Sequence, residues 1–123
     1  FPAFTKRLPS PRVIWEGSAT EALFRVLLIL REQHSVERLY CAAYTCPDIV
    51  AAGRRAGLSI VLCDSDPTTL DMRPPEVPPA GPAVILFSNL YGVVEQRQGW
   101  DEYLQRADIW VVNDRCQVQV TRS

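Results

Sequence analysis

The sequence predicts an α/β fold: a mostly parallel sheet with helices on both faces. Three observations point to it. Four short runs, beginning at Arg38, Leu58, Ala83 and Ile109, are apolar almost without interruption. Alternating runs would mark strands with one wet face; continuous ones mark strands covered on both. Between the runs lie segments with helical spacing or a long loop, giving the order α-β-α-β-loop-β-α-β. Finally, each run stops at small or polar residues, and parallel strands gather such ends on one edge of a sheet.

The bulk numbers agree with one domain. A chain of 123 residues, 47% hydrophobic and 22% charged, is long enough to bury a core. Net charge is −1, so no basic surface argues for nucleic acid. Of the 13 basic residues only Lys6 is a lysine. Apolar runs stay short, as in Val26–Leu30, so no membrane span is expected. The four cysteines, Cys41, Cys46, Cys63 and Cys116, have no C-x-x-C spacing, and the single histidine, His34, lies far from them in sequence. That disfavours a metal site and suits free thiols in a reducing, cytoplasmic setting. The chain opens at Phe1 without initiator methionine or signal-peptide pattern, so a fragment or a processed product is expected.

Taken in order, residues 1–13 hold three prolines and no period, and are expected to form an irregular arm. The domain proper is placed at 14–123. Ser18 and Glu21 make an S-x-x-E capping box for a helix over Ser18–Gln33. Leu23, Val26, Leu27 and Leu30 form its apolar face, and it should end near His34 as a solvated residue. Arg38–Ala43 is the first strand. Thr45 then reads as N-cap of a second helix, with Pro47 in the first turn and Gly57 as its stop. Leu58–Cys63 is a strand ending at Asp64. Ser65–Pro82 contains six of the ten prolines and excludes regular structure; such a loop is functional or wraps the surface. Asp64 and Asp66 are expected to fix the turn into it. Ala83–Phe87 is the third strand. Trp100, Tyr103, Leu104 and Ala107 suggest a short helix before the strand that opens at Ile109.

The chemistry should then lie where four strand ends converge: Tyr44-Thr45, Asp64, Ser88-Asn89 and Asn113-Asp114. Asp114 leads, as a carboxylate delivered by a buried strand, although aspartate there also serves as a plain turn residue. Gly17-Ser18-Ala19-Thr20 opens a helix with small residues, which suits an anion or simply a cap. Tyr44 reads as a stacking surface or as core. Cys46, at a helix N-terminus, is read as structural because no histidine is placed to act as its base. Paired glutamates, a Ser-His-Asp set, a P-loop and G-x-G-x-x-G are absent.

These stretches resemble, in order, those of the DegT/DnrJ-type sugar aminotransferases, fold-type I enzymes that use pyridoxal phosphate (PLP). Gly17–Leu23 resembles the family's small-residue helix start, and Ala43–Pro47 its second strand-to-helix turn. Ala56-Gly57-Leu58 with Asp64–Leu70 resembles its AG…D-x-D-P-x-T-L run. Leu90-Tyr91-Gly92 resembles its LYG turn, and Val112–Gln117 its EDAAQ segment. The resemblance spans roughly residues 14–119 and implies part of a PLP-transferase large domain. It implies that Ser18, Ala19 and Thr20 hold the cofactor phosphate, that Asp114 pairs with the pyridinium nitrogen, and that Gln117 lies beside the cofactor. The ring-stacking aromatic of the family falls near Cys46, where this chain has none; Tyr44 is the nearest substitute. Arg115-Cys116 stands in place of two alanines.

The resemblance implies a parent enzyme that moves an amino group from an amino acid to a keto-sugar nucleotide, as a homodimer. The family's Schiff-base lysine lies downstream of the segment matched by Gln117, and Lys6 lies upstream of every matched motif. The expectation is therefore a domain truncated before that lysine and inactive alone. The competing expectation is a stand-alone, non-catalytic α/β binding or interaction module.

Overall fold

The computed structural model of the protein describes residues 2–4, 19–88 and 99–114. Its elements are β1 (Pro2–Phe4), α1 (Ala19–His34), β2 (Arg38–Ala42), α2 (Pro47–Arg55), β3 (Ser59–Cys63), β4 (Ala83–Phe87), α3 (Asp101–Leu104) and β5 (Ile109–Asp114). They build one five-stranded sheet in the order β1-β5-β4-β2-β3. Strands β2 to β5 are all parallel, and β1 runs antiparallel along β5. The fold is thus α/β with a mostly parallel sheet.

Side-chain alternation along the strands makes two cores. On one face Leu39 and Cys41 of β2, Val84 and Leu86 of β4, and Trp110 and Val112 of β5 pack under α1 and α2. The stripe Leu23, Val26, Leu27 and Leu30 of α1 is buried there as its spacing requires. On the other face Tyr40, Ile85, Phe87 and Val111 pack with Met72 of the proline-rich segment and with Trp100 beside α3.

This division follows from the strand order. The crossover β2-α2-β3 moves outward across the sheet, and β3-to-β4 moves back past β2. Right-handed crossovers running in opposite directions lie on opposite faces. Residues 64–82 therefore do the work of a helix, covering the face that α2 does not. Hydrogen bonds fasten them there. The Trp100 Nε1–H donates to the Met72 carbonyl (2.8 Å), the Arg106 guanidinium to the Pro79 carbonyl (2.8 Å), and the Ala80 amide to the Tyr40 hydroxyl (3.2 Å). Asp66 holds the turn, as expected: its carboxylate accepts from the Thr68 and Thr69 amides and from Arg73.

Four expectations need correction. The arm over 1–13 is not wholly irregular, because Pro2–Phe4 pairs with Val112–Asp114; Phe1 and residues 5–13 lie outside the described residues. The second apolar run, Leu58–Cys63, is not buried on both faces. It forms β3 at the sheet edge, and Leu62 is 56% exposed. Thr45 is not the N-cap of α2; Cys46 is, without a side-chain bond, since the Thr45 hydroxyl is engaged elsewhere. The helix sought over Trp100–Ala107 shrinks to α3, because Arg106 turns to grip Asp108 (2.7 Å). His34 ends α1 as an exposed residue, as expected, and its ring lies against Trp110 with centroids 4.3 Å apart. The capping box has its serine, Ser18, outside the described residues; Glu21 pairs with Arg55 at 2.9 Å.

Candidate functional site at the C-terminal edge of the sheet

Because β2, β3, β4 and β5 are parallel, their C-terminal ends share one edge. Chain order reverses between β2 and β4: the chain leaves β2 toward β3, then returns to the other side of β2. Such a reversal opens a crevice outside the strand ends, where ligands of open α/β sheets bind. Thr45 and Ser88 meet at this point. Their hydroxyl oxygens are 2.9 Å apart, bridging the ends of two strands through residues 43 apart in sequence. Ser88 is buried and Thr45 half-buried.

Register places the carboxylate beside them. Phe87 pairs with Asn113, so Ser88 and Asp114 are the next neighbours. By alternation Ser88 and Asp114 belong to the α1–α2 face, while Asn113 continues the face that carries Val111. Asp114 is partly buried at the end of β5, and Asn113 is buried, 8% exposed.

Helix α1 is aimed at the same edge. Its last turn is tied to the opposite one: the Val36 amide donates to the Leu30 carbonyl just before β2, and His34 lies on Trp110 near the start of β5. The helix therefore runs back toward the strand C-termini, where it also touches β1 alongside Val112–Asp114. Ala19 and Thr20 form its first turn, with Thr20 exposed. First-turn amides of a helix lack intrahelical acceptors, which favours a negative group there.

The structure thus brings Thr20 and Asp114 to one edge and one face. Ser18, Gln117 and the Asn89 end lie outside the described residues. Tyr44 is not core: it is 59% exposed just past β2. Cys46 is an exposed thiol at the start of α2. The two strand thiols differ from it. Burial pushes Cys41 up to about 11 and, with the nearby Cys41 and Asp64 adding to the effect, Cys63 up to about 12. Both are inert neutral thiols. Sequence reasoning passed over Ser88 and Thr45 as a pair. Their signal was Ser88 closing a fully apolar run just as Asp114 does, but only the register shows that they meet.

Next to this edge, Thr45, Pro47, Val50, Ala51, Arg54 and Leu62 line a groove of about 630 Å³ with Ala43. Among the described residues no group of His, Cys, Asp and Glu is placed to hold a metal ion. Among them, too, no helix is long and apolar enough to cross a membrane. Comparison of the chain with protein-family models, with curated proteins and with solved structures found no match.

Proposed function

We propose that the C-terminal edge of this sheet is a PLP site, and that the chain is part of an aminotransferase-like protein acting on a keto-sugar nucleotide. The observation behind this reading is that Asp114, on the face shared with Ser88, ends its strand on the edge toward which α1 points its N-terminus. The residues present suit a flat, anionic, nitrogen-bearing ring. The partly buried Asp114 carboxylate would hold a proton on the ring nitrogen. The first turn of α1, with Thr20, would receive the phosphate. Thr45 and Ser88, at the reversal between β2 and β4, would floor the crevice, and exposed Tyr44, just past β2, would lie on the ring. When bound, PLP supplies the electron sink for amino-group transfer. The only lysine, Lys6, lies outside the described residues and upstream of these elements. In this reading the chain holds the cofactor and does not transaminate by itself. Its free thiols fit a reducing, cytoplasmic compartment.

Titration of a Lys6→Gln chain, its N-terminal amine acetylated, with PLP, followed by the cofactor's visible absorbance, tests this without interference from amine condensation. Saturable binding that inorganic phosphate competes away is expected. Asp114→Asn should weaken it about tenfold, the worth of one charge-assisted hydrogen bond at the low end of its range. No saturable binding, or binding indifferent to Asp114→Asn, sinks the proposal. A second reading, a non-catalytic module that binds simple anions, is favoured by Cys46 standing where the resemblance calls for a stacking aromatic. It predicts that phosphate binds as well as PLP does.

A further inference from the structure

The outer edge of β3 pairs with no other strand among the described residues. Its residues, Ser59 to Cys63, include no charge and no proline. Edges that must stay unpaired usually carry one or the other. The Ser59 amide donates to the Glu37 carbonyl, and the Ala43 amide to the Cys63 carbonyl. Ser59, Val61 and Cys63 therefore turn their backbone toward β2, and Ile60 and Leu62 turn theirs outward. Past Cys63 the edge is closed, because the Arg73 amide donates to the Asp64 carbonyl. What stays open is a short ladder, an N–H and a carbonyl at Ile60 and again at Leu62, about 6.6 Å apart. That interval is the repeat of an extended main chain, which offers a donor and an acceptor at every second residue.

The groove beside this edge selects side chains. Ile60 packs against the core under α2, so by alternation Leu62 belongs to the same face. Gly53 sits directly on Ile60: a Cβ there would lie 2.7 Å from the Ile60 Cδ1. Arg54, the next residue, therefore stands at the level of Ile60. Toward the other end, exposed Leu62 lines the groove with Pro47, Val50 and Ala51. The groove is thus apolar at the Leu62 end and basic at the Ile60 end. Arg54 is the one charged residue of its lining, and it has no ion-pair partner among the described residues.

The geometry points to an extended, acidic segment of another protein as the occupant, added to β3 as an antiparallel strand. It carries an apolar residue opposite Leu62 and an acidic residue two positions later, opposite Ile60. Residues directly opposite in an antiparallel pair share a face of the sheet. The apolar side chain then enters the groove over Leu62, Val50 and Ala51, and the carboxylate reaches Arg54. Ile60 and Leu62 are also the residues with outward-facing backbone, so the two guest residues opposite them make both the main-chain bonds and the side-chain contacts. Ladder and groove thus ask for the same spacing. Cofactor binding plays no part in this: Thr20, Tyr44, Ser88 and Asp114 are not used.

The peptide acetyl-Ser-Thr-Leu-Thr-Glu-Thr-amide is the probe, titrated into the isotope-labelled chain and followed by nuclear magnetic resonance shifts of the amides. Saturable shifts are expected at Ile60 and Leu62 on the edge and at Ala51 and Arg54 across the groove. Methylating the leucine nitrogen of the peptide removes the donor to the Leu62 carbonyl and should weaken binding about tenfold. Exchanging its glutamate for lysine should weaken binding about tenfold too, and an Arg54→Glu chain should recover the lysine peptide. The peptide variants leave the protein untouched, so their effects stand whatever a protein variant does to the fold. No saturable shift, or shifts away from β3 and α2, overturns the proposal. So does a methylated or lysine peptide that binds as well as its parent, or a folded Arg54→Glu chain that still prefers the glutamate peptide. Shifts of Ile60 and Leu62 that depend on protein concentration without peptide would give the edge to a second copy of the chain and overturn it as well.

Discussion

Replacing Trp100 with phenylalanine should cost this domain a large part of its stability. Trp100 is fully buried, with Phe87 and Tyr103 packed edge-on at ring-centroid distances of 5.9 and 6.1 Å. Its indole N–H supplies the 2.8 Å bond to the Met72 carbonyl. Phenylalanine keeps a ring in place but lacks about three heavy atoms and the donor. At about 0.8 kcal/mol per buried carbon, the missing apolar contact is worth about 2 kcal/mol. Losing the buried bond from the indole to the Met72 carbonyl costs about 1–3 kcal/mol more. The sum, about 3–5 kcal/mol, compares with about 5–15 kcal/mol for the whole stability of a typical domain. Urea unfolding followed by far-ultraviolet circular dichroism measures it. With a slope of about 2 kcal/mol per molar, the midpoint should fall by roughly 2 M. Limited proteolysis should also accelerate near the exposed Val77, since the proline-rich crossover loses its tie to the sheet. A midpoint within about 0.5 M of the native value would refute the reasoning, because the indole could then be neither tightly packed nor the partner of Met72.

Other outcomes follow from the same geometry. Thr45→Val and Ser88→Ala should each destabilise by about 1 kcal/mol, and the double mutant by less than their sum; strict additivity in urea unfolding would mean the two hydroxyls do not touch. A thiol reagent should modify Cys46 in the folded chain and leave Cys41 and Cys63 untouched, which peptide mapping by mass spectrometry checks. Because the folded values of Cys41 and Cys63, about 11 and about 12, stand above the 9.0 of an unperturbed thiol, the unfolded chain releases their protons first. Stability should therefore be intact below pH 9.0 and decline as pH rises toward 11, as urea midpoints across that range would register. The bonds of Asp66 with Arg73, Thr69 and Thr68 hold its carboxyl down to about 2, so the turn should loosen as pH falls from 3.8 toward that value. Asp66→Ala should speed hydrogen exchange at the Thr68 and Thr69 amides, and unchanged exchange would argue against those bonds.

The parts legible in the sequence were those written in local spacing. The stripe of α1 and the apolar runs of β2, β4 and β5 appear within a residue or two of where they were expected. What escaped depended on neighbours. Leu58–Cys63 reads as buried, yet nothing in six apolar or small residues tells that no strand lies beyond them. Pro2–Phe4 is too short, and too near other prolines, to announce a strand; only its pairing with β5 defines it. Thr45 looks like a cap because caps are local, whereas its actual partner is Ser88 on another strand. The proline-rich segment was legible as surface-wrapping, but its place on the face opposite α2 follows from chain handedness. At the C-terminal edge of the sheet, the places of Asp114 and Thr20 were legible from strand and helix ends, and the hydroxyl bridge between β2 and β4 only from register.

The seam between β1 and β5 has a consequence for how the chain reaches its final shape. Pro2 pairs with Asp114, more than a hundred residues downstream. A contact of such span is among the slowest for a polypeptide to make, since the loop must close before any bond repays it. During synthesis Pro2–Phe4 emerges early and waits, while β2, β3 and β4 can already assemble beneath α1 and α2. The seam can close only after β5 has left the ribosome, because among the described residues Pro2–Phe4 pairs with no other strand.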